Sequence, residues 1–324
     1  MSSEIQVGPE VDRATMVAAA RQYYLEDLSK SQIADNLGIS RFKVARLLVA
    51  ARDQGVVTIR VDDRAIPVPE LADRLARALN LRRAIVVETP EDTDEARRLV
   101  GAAAAEHLGR TLTAGEVVGM AWGRTLTAMS AAMPPLPEVD VVQLTGTVGS
   151  DLEMSPVEIV RRVALNAGGS ATPIFAPLVV DDPRTADALR RQSDVGRAIR
   201  MFDTVTTAVV AVGSVEPSTS QLWESLDRVD QERLREAGAV AEVVASLVDD
   251  DGELIDAEFE QRCIAISTEQ LRRTPRVVAI AAGREKARAV VAIARGRLCT
   301  EVVTDRNLAE AALTLVSAVQ DDAR

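Results

Sequence analysis

The sequence predicts an α/β protein of two domains. A small, mainly helical N-terminal domain, a winged helix-turn-helix, precedes a larger domain built on a parallel sheet. Three observations carry this. A length of 324 residues exceeds one ordinary domain. Residues 13–62 set two capped helices around a glycine and end in an alternating segment. From residue 83 onward, short Val/Ile/Ala runs alternate with helical patterns, as in parallel strands covered on both faces.

Composition narrows the classes. A hydrophobic fraction of 47% with 27% charged residues is that of a globular protein with ample core material. Aromatics are only 2%, so that core must be Val, Leu, Ile and Ala. No apolar run approaches the ~20 residues of a membrane helix. The start, "MSSEIQVGPEVDR", has neither the basic nor the apolar region of a signal peptide. Cys263 and Cys299 are too few for a disulfide framework or a zinc ribbon and are expected in the interior. A cytoplasmic location fits all of this. The single histidine, His107, removes His-based triads and His-rich metal sites, so no metal or cofactor is expected. Enzymes using carboxylates or lysine stay open.

Within the first 62 residues, "DRATMVAAARQYYLED" is spaced as a helix. Ser29 with Gln32 three residues on forms a capping-box pattern, and Ile33, Ala34 and Leu37 give the short helix that follows an apolar face. Gly38 permits a sharp turn, and Ser40 is a second N-cap. "RFKVARLLVAARDQG" then buries Val44, Leu47 and Leu48, with Gly55 at its end. "VVTIRVDD" alternates as a wing strand should. A recognition helix enters the major groove by its N-terminal residues. The net charge is −11, yet residues 1–62 are neutral, and Ser40 to Arg52 holds four cations and no acid. The field at the contact is what counts, and a basic helix on a neutral domain suits DNA. The residues expected to meet DNA are Ser29, Lys30, Ser40, Arg41, Phe42, Lys43 and Arg46. Ser40 can cap the helix and touch a phosphate together, whereas Phe42 can face DNA or pack inside.

"DDRAIPVPE", charged and with two prolines, reads as a linker. The boundaries that follow are 1–62 for the DNA-binding domain, 63–70 for the linker and 71–324 for a ligand-binding domain. "LADRLARALNL" restarts a helix. Strands are predicted at "RAIVVE", "EVVGMAW", "VDVVQLTG", "ATPIFAPLVV", "TVTTAVVAVGS", "RVVAIAAG" and "CTEVVTD", with helices between them. Ligands of such sheets bind beyond the carboxyl ends of the strands. Those ends read "WGRT", "TGTVGSD", "VGS", "AAGREK" and "TDRN". Small residues let backbone N–H groups approach an anion, and Arg124 and Lys286 add charge. A phosphorylated or polyhydroxy ligand is the better expectation. Trp122 beside such a loop, like Trp223, is expected to fill space.

Several stretches then join into one resemblance. "SQIADNLGISRFKVARLL", "GMAWGRTL", "VVQLTG", "GAV", "ISTEQLRRTPRVVAIAAGREKARAV" and "VVTD", in that order, resemble the SorC family of bacterial sugar-responsive transcriptional regulators. The similarity runs from about Val11 to the C-terminal helix. It implies a winged helix-turn-helix joined to a Rossmann-like sugar-binding domain related to glucosamine-6-phosphate deaminase and ribose-phosphate isomerase. It also implies homotetramers, as dimers of dimers, and phosphorylated sugars as effectors. Carried over by motif, the effector residues are Gly123, Arg124, Thr145, Gly146, Thr147, Gly213, Ser214, Gly283, Lys286, Thr304 and Asp305. Asp251, with Gly252, resembles the family's acidic loop after "GAV". Two features depart from the family: "TGT" stands where two glycines are common, and "AVGS" where the family has a G-I-G loop. Some relatives bind an aldehyde sugar through a lysine in the third-strand loop. No lysine lies between Lys43 and Lys286, which rules that bond out in this loop.

The function expected is therefore operator binding, at palindromic or repeated half-sites, controlled by a sugar or sugar-phosphate effector. An isomerase- or deaminase-like enzyme with a fused DNA-binding head is the alternative. It would need a carboxylate base, for which Asp151, Asp251 and Asp305 are candidates. A purely structural DNA-binding protein would leave the glycine-rich strand ends without a use.

Overall fold

The computed structural model describes residues 13–57, 65–148 and 155–322. The chain divides into two compact units, Met1–Asp63 and Arg64–Arg324.

In the small unit, α1 (Arg13–Tyr24), α2 (Lys30–Leu37) and α3 (Arg41–Asp53) enclose one core of Met16, Ala19, Ala20, Ile33, Ala34, Val44, Leu47, Leu48 and Ala51. The caps form as the sequence indicates. Ser29 Oγ accepts the Gln32 N–H at 3.3 Å, and Gln32 Oε1 accepts the Ser29 N–H at 3.0 Å. Gly38 turns at φ 61°, and the next residue, Ile39, donates its N–H to Ala34 O at 3.0 Å, which closes a Schellman turn. Ser40 accepts the Lys43 N–H at 3.2 Å and starts α3. Val56 and Val57 pack on this core. The rest of the expected wing strand, with the first part of the linker, lies outside the described residues.

The large unit opens with Pro67 in an antiparallel bridge to Val87. Its elements are α4 (Pro69–Ala78), β1 (Arg83–Val87), α5 (Thr93–Thr111), β2 (Val117–Met120), α6 (Arg124–Ala131), β3 (Asp140–Gln143), α7 (Pro156–Ala167), β4 (Ala171–Thr172), α8 (Pro183–Arg190), α9 (Ser193–Met201), β5 (Thr207–Ala211), β6 (Gly213–Ser214), α10 (Gln221–Ser225), α11 (Arg228–Glu236), β7 (Ala241–Val243), β8 (Ser246–Val248), α12 (Ala257–Gln261), α13 (Thr268–Arg273), β9 (Arg276–Ile280), α14 (Ala287–Arg295), β10 (Glu301–Asp305) and α15 (Arg306–Asp322). Seven strands form one sheet in the order β1-β10-β9-β5-β2-β3-β4, every pair parallel. Strands β6, β7 and β8 make a separate antiparallel sheet. The chain steps outward from β2 through β3 to β4, then returns to β2's other side at β5. The strand order therefore reverses between β2 and β5, where such sheets open a crevice.

Three expectations need correction. Residues 63–70 are not all linker: Val68 N–H bonds Val86 O and Glu88 N–H bonds Ile66 O, both at 2.8 Å, so Ile66–Val68 covers the free edge of β1. Helix α4 then starts at Pro69, a residue that suits the first helical position. The strand expected over "ATPIFAPLVV" is only Ala171–Thr172, because Pro173 and Pro177 have no N–H for a ladder. "TVTTAVVAVGS" breaks at Val212 and feeds two different sheets.

His107 is structural. Its Nε2 lies 2.7 Å from Glu301 Oε2, and Arg276 Nε donates to Glu301 Oε1 at 3.0 Å. Arg276 and Glu301 are the first residues of β9 and β10, so this buried cluster sits at the amino ends of the strands, away from the crevice. Burial alone would raise the Glu301 pKa. The bonds from His107 and Arg276 outweigh it and hold the carboxyl at about 2. Both cysteines are buried, which pushes their thiols up to about 12.

Candidate effector cleft and exposed helix face

A cleft opens at the carboxyl ends of β2 and β5. Ala121 to Thr125 form one wall and Ala211 to Gly213 the other. Thr219, Ser220, Gln221, Glu242 and Val244 close it from the small sheet's side, and Arg97 and Lys286 complete it. Two glycines make this geometry possible. Gly123 has φ 138°, and a Cβ there would lie 2.8 Å from Ala211 Cβ. A Cβ on Gly213 would meet Ser220 Cβ at 2.6 Å. Gly123 is also the N-cap of α6 and offers no side chain, so the first N–H groups of that helix are left for a ligand at its positive end.

Lys286 is placed by a short 3₁₀ turn after β9 and is only 7% exposed. Its Nζ donates to Val212 O at 2.8 Å. An ammonium has three protons, so two remain for a bound group. Burial and then the nearby Arg97 guanidinium lower its pKa to about 8; Arg124 acts the same way, and Glu285 and Glu242 oppose them. Glu242 is the buried acid facing this cation cluster. Its Oε1 accepts the Ala245 N–H and its Oε2 the Ser220 hydroxyl, each at 3.0 Å. Burial raises its pKa, and those two bonds and Lys286 partly offset the rise. The Ala245 bond pins the β7–β8 turn, where Val244 and Ala245 take φ of 48° and 72°, a conformation costly for non-glycine residues.

Of the effector residues read from sequence, the cleft brings together Gly123, Arg124, Gly213 and Lys286. The others lie outside its lining and hold the frame. Gly146 sits on the Pro177 carbonyl, and Thr147 bridges to Pro177. Ser214 N–H bonds Thr219 Oγ1 at 2.9 Å. Asp305 accepts the Gly283 N–H at 2.7 Å and the Leu308 N–H at 3.0 Å, so one carboxylate ties the β9 loop to the start of α15. Asp251 is exposed on the β8 hairpin side, and Gly252 beside it packs on the end of α14. Thr145 and Thr304 are fully buried, and their hydroxyls have no partner among the described residues. Asp151 lies outside the described residues. Sequence reading missed Arg97, Ser220 and Glu242. The visible signal for Glu242 was an acid inside the apolar run "GAVAEVV".

On the small unit, Ser29, Ser40, Arg41, Phe42, Lys43 and Arg46 are all exposed. Phe42 therefore does not pack inside. Lys30 is half-buried, its Nζ 5.8 Å from the centre of the Tyr23 ring.

The sugar-binding domain family Sugar-bind matches residues 64–314, most of the chain. The uncharacterized transcriptional regulator YjhU of Escherichia coli (strain K12) is 28% identical over 89% of this chain and 90% of its own length. The deoxyribonucleoside regulator of Bacillus subtilis (strain 168) is 27% identical over 91% and 96%. The crystal structure of the full-length sorbitol operon regulator SorC from Klebsiella pneumoniae shares the fold, with a TM-score of 0.71 at 23% identity, over 94% of this chain and 100% of that one. The chain belongs to the SorC family of transcriptional regulators. These relatives carry regulators' names, not enzymes'. Both oxygens of Asp305 are engaged by backbone N–H groups, and Asp251 is outside the cleft. No helix among the described residues is long and apolar enough to cross a membrane.

Proposed function

We propose that the cleft between β2 and β5 holds the effector, a sugar carrying an anionic group, and that its occupancy sets how tightly the N-terminal unit grips operator DNA. The observation that carries this reading is Lys286, the one lysine after residue 43, buried in the crevice where the strand order reverses. Lys286, Arg97, Arg124 and the open N-terminus of α6 supply charge and donors for a phosphate. Glu242 and Ser220 supply the polar groups that a sugar's hydroxyls require. Thr145, Gly146, Thr147, Ser214, Asp251, Gly283, Thr304 and Asp305 are read as supporting the loops around the cleft. The names of the relatives fit a small carbohydrate or nucleoside as the signal.

The N-terminal unit is read as a winged helix-turn-helix whose α3 enters the major groove. Ser29, Lys30, Ser40, Arg41, Phe42, Lys43 and Arg46 are read as lying on the groove and phosphate side. Residues 71–324 form the effector and assembly domain, with the Rossmann-like architecture of the sugar-phosphate enzymes. A dimer of dimers then places paired heads on half-sites one helical turn, or a multiple, apart. The effector shifts operator affinity only by the difference in its affinity for two arrangements.

The test is a thermal-shift panel of sugar phosphates, free sugars and sugar alcohols. A ligand at ~100 times its Kd adds ~2.7 kcal/mol, which moves the melting point by a few degrees. A phosphorylated sugar is expected to give the shift. A shift by a neutral sugar or polyol alone would remove the phosphate from this reading.

A further inference from the structure

The outward stripe of α3 is not the charged face that keeps a surface helix soluble. At spacings i, i+4 and i+7 it reads Phe42, Arg46, Val49. Phe42 is 83% exposed, more than any other large hydrophobic side chain among the described residues, and Val49 is 47% exposed. The opposite face, Val44, Leu47, Leu48 and Ala51, is buried. Phe42 is the second residue of the helix, between the exposed Arg41 and Lys43. Its ring takes no part in the core of its unit. Leaving a phenylalanine in water forgoes ~1.5–3 kcal/mol of burial, so this position favours a partner over stability.

An apolar ring among cations fits a surface that is anionic at its rim and apolar at points on its floor. The major groove has that pattern, with phosphates at its edges and thymine methyl groups on its floor. We propose that Phe42 reads a thymine through its 5-methyl group while Arg46, one turn further on, reads a neighbouring guanine. The proposal rests on the reading of α3 as the DNA-binding helix. Four residues of helix advance ~6 Å. At ~3.4 Å per base pair, the two bases lie within about two steps of each other. An acidic protein surface would match the cations but would give the ring no methyl at a fixed distance from them.

The experiment starts with the full-length protein enriching its sites from a random duplex library. Each thymine of the enriched site is then replaced singly by uracil, which removes one methyl group. One thymine in each half-site, within two base pairs of a guanine, is expected to respond with about fourfold weaker binding, the value of one methyl leaving water. Phe42→Ala protein, with an unchanged melting point, is expected to bind the thymine and uracil sites alike and still to require the guanine. Tolerance of uracil at every thymine would overturn the assignment, as would full uracil sensitivity in Phe42→Ala. So would a Phe42→Ala protein that has lost its oligomeric state, which would place the ring against a second copy. A library that yields no site, or a site bound equally well by Arg46→Ala, would overturn the DNA-binding reading beneath it.

Discussion

Lys286 should make effector binding fall as pH rises above neutrality. Its pKa of about 8 in the folded protein lies well below the ordinary lysine value of 10.5. A phosphate ester is already a dianion over this range, since its second pKa is ~6. Only protein with a charged Lys286 is then competent, a fraction of about 0.9 at pH 7 and about 0.1 at pH 9. Apparent affinity scales with that fraction, so Kd should rise about tenfold between pH 7 and pH 9, ~1.4 kcal/mol. Stability of the free protein should run the other way. Between about 8 and 10.5 the unfolded lysine keeps its proton while the folded one has lost it, so this group's contribution improves as pH rises. Calorimetry at pH 7, 8 and 9, in two buffers of different ionisation enthalpy, reads both affinity and proton uptake. Uptake near one proton per site is expected at pH 9, and Lys286→Met should abolish both affinity and slope. A Kd constant from pH 7 to pH 9 with no proton uptake would refute the role given to Lys286.

Two further substitutions test the packing of the large unit away from the cleft. Gly252 has φ 78°, and a Cβ there would collide with Ala292 O and the Gly296 backbone, so Gly252→Ala should cost about 3 kcal/mol in denaturant melts; a change within about 0.5 kcal/mol would show that the hairpin yields freely. Glu301→Gln should cost about 3 kcal/mol by leaving the half-buried Arg276 without its carboxylate. In the wild type that contribution is present above the ordinary carboxyl pKa of 4.5 and fades as pH falls toward about 2. A variant that matches wild-type stability at pH 7 would contradict the cluster's role.

Much of the fold was legible because it is local. The caps at Ser29 and Ser40 and the turn at Gly38 depend on residues three or four apart, a spacing that a sequence displays directly. The long Val/Ile strands were legible because burial on both faces leaves an unbroken apolar run. Residues 215–275 were opaque for the opposite reason. They form three-residue strands and five- to nine-residue helices, too short to establish a period. The cleft was half legible. Motifs marked the strand ends, but only the order of strands decides which ends meet. Thr145 follows β3 and Thr304 lies within β10, and neither strand flanks the reversal between β2 and β5. Glu242 was hidden because its partner Ser220 is 22 residues away. Arg97 on α5 reads as an ordinary surface cation until the fold turns it toward the cleft.

The most direct measurement is operator binding by fluorescence anisotropy, with and without the sugar phosphate that raises the melting point most, for wild type and Lys286→Ala. The effector should change wild-type operator affinity at least several-fold. Lys286→Ala should bind bare operator as the wild type does and fail to respond. An unaltered response in Lys286→Ala, at the same effector midpoint, would contradict the placement of the effector in this cleft.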